Sequence, residues 1–104
     1  MPSYRPPADV ARAARRGLDI RARQTPSNRA GTAVGIARAG QLANRRPVSV
    51  ETLRRMVSFF ARHDANKDVR RRDKTSKANQ AWLLWGGTPG RRWAVSVLAG
   101  LDDA

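Results

Sequence analysis

An all-α fold, a small bundle of about five helices, follows from three features of the sequence. No window alternates β-branched and polar residues for more than three or four positions, so strand signals are nearly missing. Apolar residues instead recur at helical spacing in five separate stretches. Each stretch is bounded by residues that start helices (Pro, Ser, Thr) or stop them (Gly, Asn, Pro).

The first helix is expected over Pro7–Arg23, after a flexible leading segment 1–6. Pro7 suits a first turn because its missing N–H has no helical partner there, and Asp9 complements the positive end of the helix dipole. Val10, Ala14, Gly17 and Leu18 form its apolar stripe; Arg12, Arg15, Arg16, Arg23 and Asp19 lie mostly off it. Pro26 marks the connection Gln24–Asn28. A second helix over Thr32–Asn44 takes Thr32 as its N-cap. Gly35, Ala39 and Ala43, and likewise Ile36 and Gly40, are spaced by four, which invites a close-packed neighbour. Asn44, Arg45, Arg46 and Pro47 end it. The third helix, Val50–His63, is capped by Ser49, with Val48 and Leu53 in hydrophobic-staple positions. Leu53, Met56, Val57 and Phe60 are its buried stripe. Glu51, Arg55, Ser58 and Arg62 line another face.

Residues 64–77 carry six basic and three acidic side chains and read as a charged, solvated loop. A fourth helix, Lys77–Trp85, is capped by Ser76 and stopped by Gly86 and Gly87. The fifth opens with Thr88 as N-cap and Pro89 at its first position, sending Trp93, Val97, Leu98 and Leu101 inward. The last two helices make a Trp-rich C-terminal hairpin, and the second and third a central helix-turn-helix-like pair. Together they form one helical domain over residues 1–104.

The charge balance is the strongest functional signal. Twenty-one Lys and Arg face 8 Asp and Glu, a formal charge of +13 on 104 residues. Scaling gives a folded surface of roughly 5,800 Å², hence one uncompensated positive charge per ~450 Å². Eighteen of the basic residues are Arg, whose planar fork grips phosphate in a bidentate manner. Coding bias explains Arg over Lys but not the excess of positive charge, so a polyanion is the expected partner. The absence of Cys excludes thiolate zinc sites, iron-sulfur clusters, disulfides and cysteine nucleophiles, and a single His cannot build a multi-His metal site. No apolar run approaches the ~20 residues of a membrane span, and the first 30 residues lack a secretory signal. An intracellular or particle-enclosed protein is expected, with no cofactor and no membrane partner.

The runs Gly31–Ala39, Pro47–Ser49, Leu53–His63 and Ala81–Gly87, followed by Gly90, Arg91 and Trp93, resemble a small helical module of tailed bacteriophages. Such modules are stand-alone proteins or segments attached to head-morphogenesis proteins such as prohead proteases. The likeness spans about Ala8–Leu98, and its specific parts are the phenylalanine pair and the tryptophan segment. Where such modules often carry a glycine-rich, mixed-charge segment, this chain has Arg70, Arg71 and Arg72. The resemblance implies a phage origin rather than a particular chemistry.

Within this frame, a helix-turn-helix would present Arg55, Ser58 and Arg62 to a DNA groove, with Arg45 and Arg46 on the backbone. An ordinary helical hairpin is the competing reading. Arg12, Arg15 and Arg16 offer a second basic face, and Arg70, Arg71 and Arg72 either a phosphate-binding arm or a solvated run. Trp82, Trp85 and Trp93 read as core rather than as base-stacking platforms, because they fall at helical spacing among Leu, Ala and Val. Asp64, Asn66 and Asp68 open like a calcium loop, but Val69 stands where Gly is needed and Thr75 where Glu is. His63 beside Asp64 lacks a nucleophile and reads as a helix end. The expected function is that of a phage DNA-binding accessory protein, not an enzyme, holding duplex DNA through Arg–phosphate contacts in the host-cell cytoplasm or inside the particle. The alternative is a structural or interaction module of the phage head, whose arginines meet acidic protein surfaces of phage or host.

Overall fold

The computed structural model describes residues 2–102 and is all-α apart from one two-residue strand pair. Its elements are β1 (Ser3–Tyr4), α1 (Ala8–Ala22), α2 (Ala33–Ala43), β2 (Val48–Ser49), α3 (Val50–His63), α4 (Lys67–Arg72), α5 (Lys77–Leu84) and α6 (Gly87–Asp102), with 3-10 turns at Pro26–Asn28 and Asp64–Asn66. Three of the four expected side-chain caps operate. Thr32, Ser49 and Ser76 accept hydrogen bonds from the backbone N–H groups of Gly35, Thr52 and Asn79, so α2, α3 and α5 begin where their hydroxyls stand. The α2 C-terminus closes with the amides of Arg45 and Arg46 donating to the carbonyls of Leu42 and Gln41, which puts Arg45 in the left-handed region at φ 53°.

α1 is the centre of the bundle and packs on α2, α5 and α6. Its light apolar stripe suffices because Gly17 lets α5 come close: a Cβ there would sit 2.8 Å from the Leu84 amide nitrogen. The small residues of α2 serve only in part, since Gly35, Ala39 and Ala43 are buried but a Cβ added at Gly40 would meet nothing within 4 Å. The core gathers Val10, Leu42, Val48, Leu53, Met56, Phe59, Phe60 and Trp82. Phe60 meets Trp82 edge-on at 4.7 Å, while Phe59, absent from the expected stripe, stacks on Trp85 at 4.9 Å. Trp85 and Trp93 are half-buried against this core.

Four local expectations are corrected. The leading segment is not free: Ser3–Tyr4 pairs antiparallel with Val48–Ser49, Pro6 is fully buried, and its carbonyl accepts from Arg45 Nε at 2.8 Å. Met1 lies outside the described residues. Residues 64–77 are not one loop, because Arg70 turns inward and pins α4 to α5. α6 starts at Gly87, so Thr88 lies within its first turn and accepts the Trp82 indole N–H instead of capping. Leu101 is exposed.

α2 and α3 follow each other across the turn as expected. They touch only marginally, because α2 lies on α1 and α5 whereas α3 lies on α6. The C-terminal hairpin of α5 and α6 turns at Gly86, whose φ of 106° a side chain would resist. Two buried polar residues, Asn79 and Gln80, are not marked by the sequence pattern. Gln80 is 0 % exposed and ties three segments together, accepting from the Ala30 amide at 2.9 Å and donating to the carbonyls of Asn28 and Thr75. No helix among the described residues is long and apolar enough to cross a membrane.

Candidate nucleic-acid interface

The inward turn of Arg70 organises the strongest positive surface. Its guanidinium lies 3.6 Å from the Trp82 ring centroid and donates to the His63 carbonyl at 2.8 Å, leaving the residue 9 % exposed. Burial lowers its pKa, Asp64 pulls the other way, and Arg91 and Arg71 lower it further. An arginine starts high enough to keep its charge through such a shift. α4 is thereby fastened to α5, with Lys67 and Arg71 beside Arg70 on its outer side.

These residues meet α1 across a cleft of about 320 Å³ lined by Arg16, Lys67, Arg70, Arg71 and Lys74, with Asn79 and Thr88 as polar neighbours. No carboxylate lines it. Asp73, next to the basic run, is held by the backbone and hydroxyl of Thr75, and these hydrogen bonds lower its pKa. Arg16 also belongs to the adjoining outer face of α1, where Arg12, Arg15, Arg16 and Arg23 stand with Asp19 as the one acid. Two clusters more than forty residues apart in sequence thus form one continuous cationic surface. Helical spacing accounts for the α1 half. The α4 half required knowing that Arg70 stacks on Trp82.

The structure sorts the candidate residues by what their side chains already do. Arg12, Arg16, Arg46, Arg62, Arg71 and Arg72 are exposed and make no ion pair among the described residues. Arg15 donates to the Ala43 carbonyl at 3.3 Å, satisfying one orphan carbonyl at the end of α2. Arg45 is engaged with Pro6, and Arg70 with His63 and Trp82. Arg55 is paired with Glu51 at 2.7 Å, both exposed. On α3, Arg54, Arg55, Ser58 and Arg62 do share a face, together with Glu51, Val34 and Trp85. Arg38 of α2 stands near this face, its pKa lowered by burial and then by Arg55. Lys67 and Lys74 belong to the cleft and were not singled out in the sequence, since only the fold of α4 aligns them with Arg16. The second described ion pair, Arg91–Asp64, clamps α6 to the turn after α3 at 2.9 Å.

No protein-family model, curated protein or solved structure matches the chain.

Proposed function

We propose that this chain is a basic DNA-binding accessory protein that holds duplex DNA through Arg– and Lys–phosphate contacts on the joined faces of α1 and α4. The observation that carries the reading is the concentration there of Arg12, Arg16, Arg23, Lys67, Arg71 and Lys74, exposed and without ion pairs among the described residues. Such a surface exchanges condensed counterions for phosphates, a source of affinity that needs no base contact. The α3 face is the lesser contact, because Glu51 already neutralises Arg55 and sits among the cations. Groove insertion by α3 also lacks the supporting helix that a helix-turn-helix packs behind it, as α2 is committed to α1 and α5. The cleft is lined by cations, amide and hydroxyl groups rather than acid–base pairs, which fits binding, not catalysis. In the phage setting that the sequence resemblance implies, the role is a regulator or a DNA-associated particle component.

The test is binding to an unrelated duplex of about 30 base pairs at roughly 50 and 200 mM salt. A steep loss of affinity with salt is expected. No binding at the lower salt would discard the reading.

A further inference from the structure

α4 and α5 each contribute to the basic cleft and also to a second concavity of about 630 Å³. Its floor is apolar: Ala30, Phe59, Ala81, Leu84 and Trp85. Val69 is 41 % exposed on its lip, and Val34, 57 % exposed, lies on the far side of Trp85. Leaving large apolar side chains in water costs free energy that a docked partner would recover. Around this floor stand Arg29, Arg62 and Lys77, with no carboxylate in the lining. Arg29 is held by the Gln24 carbonyl at 3.1 Å, so one of these charges is already oriented.

Two rings of the groove, Phe59 and Trp85, are already engaged by neighbours, which disfavours base stacking on them. Phe59 stacks on Trp85 at 4.9 Å and meets the tilted His63 ring at 4.2 Å, and the Arg38 guanidinium lies 5.7 Å from the Trp85 ring centroid. These neighbours occupy the faces a nucleobase needs, whereas ring edges and methyl groups stay open to aliphatic side chains. A second copy of the chain is disfavoured by charge, since each carries +13 and would bring more cations to a cationic rim.

We propose that this groove docks an acidic amphipathic helix of a partner protein. Two or three apolar side chains of one helix face, about what a groove of this size accepts, insert over Phe59, Ala81 and Leu84. Asp and Glu on the flanks of that helix meet Arg62, Lys77 and Arg29. The chain would then hold DNA on one side of α4 and an acidic protein on the other. This inference does not depend on the DNA reading.

The probe is a fluorescein-labelled peptide of about 18 residues with Leu at i, i+3, i+4 and i+7 and Glu at most other positions, titrated with the full chain in about 150 mM salt. Control peptides replace Leu with Ser or Glu with Lys. The protein variants are Val69→Glu and Lys77→Glu at the groove, both at exposed positions, and Arg16→Ala/Lys67→Ala/Lys74→Ala at the cleft, each checked by circular dichroism. The Leu/Glu peptide is expected to bind. Affinity should fall at least about tenfold, or 1.4 kcal/mol, for the Ser and Lys peptides and for either groove variant, and change less than about twofold for the cleft variant. The proposal is overturned by no binding up to about 200 μM, by equal binding of the Ser peptide, or by groove variants that bind like wild type. It is equally overturned if a single-stranded oligonucleotide, or self-association seen by sedimentation, is what the groove variants lose.

Discussion

Replacing Arg16, Lys67, Arg71 and Lys74 together by Ala removes all the exposed cations that line the cleft without touching a buried group. None of the four side chains makes a hydrogen bond within the described chain, Ala suits the three positions in α1 and α4, and Lys74 lies in the exposed turn after α4, so the fold should persist. If six phosphates are neutralised by the natural surface, the log–log salt slope is about −5.4, and raising salt fourfold costs roughly 1,800-fold in affinity. With two contacts left, the slope is about −1.8 and the same change costs about 12-fold. Fluorescence anisotropy of a labelled duplex across several salt concentrations reads both slopes directly. As a counterpart, Arg55→Ala/Arg62→Ala on α3 should leave the slope within about one unit of wild type. A folded quadruple variant that keeps a slope near −5 would refute the assignment, and loss of the slope in the α3 variant would move the contact to that helix.

Three further outcomes probe the architecture. Arg70→Ala removes a charged hydrogen bond and a cation–π contact and should cost about 2–4 kcal/mol, a fall of roughly 10–20 °C in Tm by calorimetry; Arg70→Lys should not restore it, because an ammonium cannot both lie flat on Trp82 and reach the His63 carbonyl. Gly17→Ala should destabilise by about 1–3 kcal/mol, since its methyl meets the α5 backbone, whereas Gly40→Ala should stabilise by up to about 1 kcal/mol; urea melts that rank the two the other way would contradict the packing. His63 has its pKa held below the usual value near 6.5, chiefly by burial and then by Arg62 and Arg70. The unfolded chain therefore takes up this proton first, so stability is complete above about pH 6.5 and declines as pH falls through that value toward the folded pKa. Urea midpoints measured from about pH 7.5 to 5 should drop, and His63→Gln should flatten the profile; a midpoint that rises on acidification would contradict the sign.

Much of the local structure was legible because its causes are local. Ser49 and Ser76 cap the next turn, and Gly86 reverses the chain through its own φ, so α3 and the α5–α6 turn fall where the sequence places them. Val10, Leu53, Met56 and Phe60 repeat at helical spacing, which marked them as core. Phe59 was missed because it extends the stripe of α3 sideways toward Trp85, a partner more than twenty residues away.

The sequence by itself determined that the protein is helical, where most of its helices begin, and that it carries a large unbalanced positive charge. Composition and short-range backbone hydrogen bonding set those properties before any long-range contact forms. Only the tertiary structure decided which arginines remain available to a ligand. A guanidinium becomes structural when a carbonyl or a ring happens to lie within reach, as Pro6 does for Arg45 and Trp82 for Arg70. That proximity comes from the packing of α4 on α5 and of the first residues on the α2–α3 turn, and no spacing along the chain encodes it.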